Sequence, residues 1–120
     1  MRSITYTAAA LSIAAISAPA AAQAFEQITT RDAFVAATSG RDLTRLGISV
    51  AVTPSGDIRG RAFGYPVTGA WNWQNGYFCR DLYWGNDPLG QNCQAVRIQG
   101  DTIRFISDQG TGRSADLTLK

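Results

Sequence analysis

The stretch Ala70-Trp71-Asn72-Trp73-Gln74-Asn75-Gly76-Tyr77-Phe78-Cys79-Arg80-Asp81-Leu82 decides the fold class. Asn-Gly between two runs of strand-forming residues is a strong short-range hairpin signal, because a two-residue type I′ turn needs positive φ at both central positions. A loop at Asn75-Gly76 puts Gln74 opposite Tyr77, Trp73 opposite Phe78 and Trp71 opposite Arg80. One face then carries Trp71, Trp73, Phe78, Arg80 and Leu82, and the other Asn72, Gln74, Tyr77, Cys79, Asp81 and Tyr83. Neither face reads as plain solvent, so either both are partly covered or one is an exposed aromatic binding surface.

Working outward, the same two-residue period runs through Leu46, Ile48, Val50 and Val52, then through Asp57 to Phe63 after a turn at Pro54-Ser55-Gly56. Beyond the hairpin, a loop is expected from Trp84 to Gln91. Strands follow through Cys93, Val96 and Ile98, through Ile103, Phe105 and Ser107, and from Ala115 to Leu119. Upstream, Thr29 or Thr30 can cap a short helix that ends by Gly40, with Asp32 in its first turn and Phe34, Val35 and Ala37 on its apolar side. About six or seven short strands with glycine-rich turns predict a mainly β domain, a small antiparallel barrel or sandwich with one N-terminal helix.

The first residues follow a different logic. Arg2, an apolar run from Ile4 to Ile16 and the small residues Ser17 to Ala24 have the order of a secretory signal peptide, with Ala22-Gln23-Ala24 as cleavage site. A membrane span would need about 20 predominantly apolar residues, and this run is broken by Ser12, Ser17 and Pro19. The expected organisation is therefore a signal over residues 1–24 and a single domain over residues 25–120, periplasmic or secreted, with no stable membrane insertion after cleavage. Export makes Cys79 and Cys93, the two cysteines of the chain, a candidate disulfide. Without a C-x-x-C spacing they read as a staple and not as a redox pair.

Composition excludes several functions. Arg2 leaves with the signal, so the eleven basic residues become ten against nine acidic ones. That near balance, with Arg and Asp interspersed, argues against a nucleic-acid partner. The chain has no histidine, which removes Ser-His-Asp and Cys-His catalysis and leaves no imidazole for a metal. Gly110-Thr111-Gly112 lacks the lysine and the strand-to-helix setting of a phosphate loop, and no dinucleotide fingerprint is present, so no cofactor is expected.

The densest chemistry lies between Gly64 and Cys93, where Trp71, Trp73 and Trp84 neighbour Tyr77, Phe78, Arg80, Asp81 and Tyr83. Such aromatics fill the core of a small barrel, or they stack a flat ligand or anchor a protein partner. Trp71, Trp73, Arg80 and Trp84 are the candidate ligand-binding residues, with Arg80 placed to stack on Trp71 while its fork reaches Asp81 or a ligand carboxylate. Oxygen-bearing side chains between Gly85 and Asn92 form a polar turn, with one carboxylate and no D-x-D spacing to suggest calcium. Asp57, Asp81, Asp87, Asp101, Asp108 and Asp116 supply carboxylates for a polysaccharide hydrolase, but no pair stands out and four sit in expected turns. The reading is a non-catalytic binding module for an unknown ligand or envelope protein. An aspartate-pair hydrolase and an inhibitory or structural envelope component are the alternatives.

The runs Gly56-Asp57-Ile58-Arg59-Gly60, Gly69-Ala70-Trp71-Asn72-Trp73, Gly76-Tyr77-Phe78-Cys79-Arg80 and Asn92-Cys93-Gln94-Ala95-Val96, with Gly100-Asp101 before a strand, resemble a group of small exported bacterial proteins of unknown function. Some of these bear the name dihydrodipicolinate reductase. Such a reductase needs a Rossmann nucleotide-binding domain and a second domain, and this chain has neither the fingerprint nor the room. More distantly, Trp71, Cys79, Cys93 and a flexible segment from Phe25 are similar in outline to the periplasmic inhibitors of secreted metalloproteases, which implies a single-disulfide barrel.

Overall fold

A computed structural model describes Ser3 and residues 24–120 of the chain. The expected signal peptide falls almost wholly outside the described residues. Among those described, no helix is long and apolar enough to cross a membrane.

The chain begins with β1 (Glu26–Ile28) and α1 (Arg31–Thr38), then β2 (Leu43–Arg45), β3 (Ile48–Val52), β4 (Asp57–Ala62), β5 (Tyr65–Gln74), β6 (Tyr77–Trp84), β7 (Asp87–Gln99) and β8 (Thr102–Ile106). A short helical turn, α2 (Ser107–Gly110), leads to β9 (Ser114–Leu119), with Asp108 and Gln109 at positive φ. Strands β2 to β9 pair in chain order, every pair antiparallel, and β9 returns to β2. The result is a closed eight-stranded barrel.

The central hairpin has the register expected from its turn: Gln74 faces Tyr77, Trp73 faces Phe78 and Trp71 faces Arg80. Asn75 and Gly76 have φ of 52° and 85°, as a type I′ turn requires. The face carrying Trp71, Phe78 and Leu82 points inward, where it meets Val52, Ile58, Val96, Ile103, Phe105 and Leu119. On the outer face, Cys79 and Cys93 are cross-strand neighbours on β6 and β7 and form a disulfide.

Glycine sets the curvature of the wall at Gly60 and Gly69. A Cβ on Gly60 would lie 2.1 Å from the Ser49 carbonyl oxygen, and one on Gly69 would lie 2.2 Å from that of Asp81. Neighbouring strands coil so closely there that no side chain fits between them.

One end of the barrel is shut by α1. Thr30 caps the helix by accepting a hydrogen bond from the Ala33 amide, and the helix delivers Phe34, fully buried, into the barrel. The ring of Phe34 lies 5.1 Å from Trp71, 5.3 Å from Trp73, 4.9 Å from Phe78 and 6.3 Å from Phe105. Thr38, also buried, returns its hydroxyl to the Phe34 carbonyl.

Several local expectations change. The segment from Phe25 is ordered and not flexible: β1 pairs with β7 beyond the point where β6 ends, and Phe25 sits 3.9 Å beneath the Arg104 guanidinium. Arg104 in turn forms a two-pronged ion pair with Asp116, whose hydrogen bonds draw the carboxyl below its ordinary range. Leu46 does not share the inward face of Ile48 and Val50. It sits 94 % exposed in the turn between β2 and β3, where Gly47 has φ of 77°. The expected loop from Trp84 to Gln91 is a tight turn followed directly by β7. Ser107 leaves the sheet for α2 and hydrogen-bonds to Gln94.

The disulfide ties β6 to β7 at a sequence separation of 14. A loop of that size is worth about 3 kcal/mol in the chain-entropy account. Converting both cysteines to alanine is expected to lower unfolding free energy by about that amount with the far-ultraviolet spectrum unchanged at low urea. A loss under about 1 kcal/mol would mean that the β6–β7 ladder already confines this loop in the unfolded chain.

Candidate functional site

On β6, Arg80 alternates with Phe78 and Leu82, and the pairing of Phe78 with Gln94 and of Arg80 with Asn92 carries the same face onto β7. These side chains border a cavity of about 160 Å³ on the inner face of the barrel, open to solvent and lined also by Leu43, Val50, Val52, Ile58, Phe105, Ala115 and Leu117. Its lining is aliphatic and aromatic except for Arg80 and Gln94. Gln94 donates from Nε2 to the Ser107 hydroxyl at 3.2 Å. Arg80 donates from Nη1 to the Gly90 carbonyl at 2.6 Å, which among the described residues is the one protein hydrogen bond of its guanidinium.

That setting is electrostatically uneven. Burial draws the Arg80 guanidinium below its ordinary range, and the field of Asp81 only partly offsets it. Arginine nevertheless stays charged at any physiological pH. A charge drawn out of water toward an apolar cavity gains most from an anionic partner with two acceptor oxygens.

The tryptophans are placed differently. Trp71 is buried beneath Phe34 and donates its indole N–H to the Thr53 carbonyl at 2.9 Å. Trp73 donates to the Thr29 carbonyl at 3.1 Å and Trp84 to the Ala62 carbonyl at 2.8 Å. All three indole N–H groups therefore fasten turns or chain segments to the wall. The cation lying over Trp71 is Arg31, at 5.4 Å from the ring centroid, and not Arg80. The structure brings Trp71 and Trp73 together in the plug end and sets Trp84 towards the opposite end, where Tyr65 meets it edge-on at 5.4 Å.

That opposite end carries the turns β2–β3, β4–β5 and β6–β7 and the α2 segment, and it is unusually apolar. Leu46, Phe63, Tyr65, Tyr83 and Leu89 are the large hydrophobic residues exposed among those described, and all lie in or beside these turns. Phe63, Leu89 and Trp84, with Ala62 and Val67, line a shallow recess of about 230 Å³. A second groove of about 310 Å³ is bordered by Asn72, Gln74, Asp81, Gln91 and the disulfide, and it shares Arg80 with the internal cavity and includes Trp71. It is larger than the internal cavity, but its lining mixes amides and the Asp81 carboxylate with apolar groups, whereas the internal cavity is apolar except for Arg80 and Gln94.

Four of the six aspartates proposed for hydrolysis are engaged in structural contacts. Asp101 pairs with Arg41 and Asp116 with Arg104, Asp108 accepts from Asn92, and Asp57 accepts from Ser55. Sequence reasoning missed Gln94 and the wall residues opposite Arg80, because the barrel assembles them from strands far apart in the chain. It missed the apolar rim too, although Leu46 before Gly47 and Phe63 before Gly64 were visible as large apolar residues in turn positions.

No family model matches the chain, and no curated protein or solved structure is significantly similar to it. The functional reading therefore rests on the geometry.

Proposed function

We propose that the protein is a non-catalytic binding module working in the periplasm or outside the cell, and that its ligand enters the barrel beside Arg80. The observation that carries this is a half-buried guanidinium bordering an otherwise apolar cavity, held among the described residues by one carbonyl. Four of the six candidate aspartates held in structural contacts, and a chain without histidine, support binding over catalysis. A disulfide supports an oxidising compartment. The test is a ¹H–¹⁵N shift titration with ring-sized organic fragments. Binding should move the amides of Phe78, Gln94 and Phe105 together, and perturbations confined to the outer strand faces would sink the reading.

One observation favours a second reading, docking of an envelope protein. The exposed Leu46, Phe63, Tyr65, Tyr83 and Leu89 lie at one end of the barrel, Phe63 and Leu89 sharing a recess, and exposed apolar patches of this kind mark interaction sites. The double change Phe63→Ser with Leu89→Ser separates the two readings. It should leave fragment binding inside the barrel intact, and it should abolish co-purification of a protein partner if the rim is the working surface.

A further inference from the structure

Resting on the reading that ligands bind inside the barrel, we propose that the ligand class is a small carboxylate carrying one ring or a short branched chain. Arg80 is its anchor. Three features of the cavity select this chemistry. The first is size: an apolar cavity of about 150 Å³ accommodates a benzene ring, and this one is about 160 Å³. It holds one ring with a small head group, and any longer chain would project into solvent.

The second is charge. Arg80 is the one ionisable side chain in the lining, and Gln94, the other polar group, is tied to Ser107. A single cation balances a single negative charge, so a carboxylate fits and a phosphate dianion would leave charge uncompensated away from water. The guanidinium fork meets a carboxylate through two parallel hydrogen bonds, and one bond to Gly90 leaves donors for both. An amine would meet a like charge, and a neutral amide would offer one acceptor in place of two.

The third feature is a way in. Strand β9 is joined to β2 only at Thr118 and Leu119, so Ser114 to Leu117 run on without a register partner on that side. Ala115 and Leu117 belong to the cavity wall. The wall next to the cavity is thus open on one flank of β9, and a small ligand can pass there without unplugging α1.

The experiment compares benzoate with benzamide, two probes of one shape, by ¹H–¹⁵N titration of the wild-type protein and of Arg80→Met. Benzoate should bind the wild type at least about tenfold more tightly than benzamide, the margin one charge-assisted pair supplies, with shifts centred on Phe78, Gln94 and Phe105. In Arg80→Met the preference should vanish while benzamide still binds. Equal binding of both probes inside the wild-type barrel would overturn the carboxylate class and leave the interior-binding reading standing. Failure of both probes to reach the interior would overturn both. A benzoate preference that survives in Arg80→Met would remove Arg80 as the anchor. Should Arg80→Met fail to fold, the wild-type comparison alone decides the class, and Arg80→Lys tests the fork, since lysine keeps the charge without the paired donors.

Discussion

Replacing Phe34 with alanine is expected to destabilise the protein by about 3–5 kcal/mol, the range for deleting a buried phenyl ring. The upper part of that range applies. Phe34 is wholly inaccessible and touches the rings of Trp71, Trp73, Phe78 and Phe105 at 4.9–6.3 Å, so its loss leaves a void bounded by stiff aromatic groups that collapse poorly. Moreover α1 has eight residues, too few to persist without tertiary contacts. Truncating its anchor therefore frees the whole plug and not one side chain. Urea unfolding followed by tryptophan fluorescence would measure the loss. A change below about 1 kcal/mol would show that α1 rests on the barrel instead of completing its core.

The second large effect is expected at Gly60. Alanine there would place Cβ 2.1 Å from the Ser49 carbonyl oxygen, 2.6 Å from the Val50 Cα and 2.9 Å from the Ser49 carbonyl carbon. All three are backbone atoms, so the strands themselves must separate, at a cost of about 3 kcal/mol or more. Gly64 provides the contrast, with φ of +84° and nothing within 4 Å of its Cβ position. Alanine at Gly64 should cost only the left-handed penalty of about 1–2 kcal/mol. The glycine inside a strand is thus expected to matter more than the glycine in a turn, and urea midpoints for Gly60→Ala and Gly64→Ala decide the order.

Much of the fold was legible because hairpins announce themselves locally. Asn75-Gly76 dictated a register that the structure reproduces pair for pair from Gln74–Tyr77 to Trp71–Arg80. What escaped has physical reasons. Leu43-Thr44-Arg45 is too short to display a period, so β2 was invisible, and Leu46 was drawn into the neighbouring strand by its spacing alone. Pro88 and Gly90 made the start of β7 look like a loop. The stretch Asp87–Asn92 pairs only with β6, and a strand with one edge unpaired tolerates proline. For the site, alternation correctly put Arg80 on the face of Phe78 and Leu82. The cavity beside it is a property of closure, made by β2, β3, β4, β8 and β9 arriving from both ends of the chain, and no local pattern encodes it.

Closure also has a kinetic consequence. Seven of the eight joins in the barrel link strands adjacent in the chain, and the eighth brings Leu43 to Leu119 and Thr44 to Thr118. Reciprocal hydrogen bonds between Asp42 and Lys120, at 2.9 Å each, extend that seam by one residue pair. The entropy of closing nearly the whole chain falls on this single short join. The meander can form as a curled sheet through short-range steps, and it becomes a barrel only when the ends meet, the slow event in a topology otherwise built from near neighbours. Amide exchange at Asp42 and Lys120, whose N–H groups bond across the seam, would thus time the closing of the barrel, whereas exchange at Phe78 or Val96 would time the sheet.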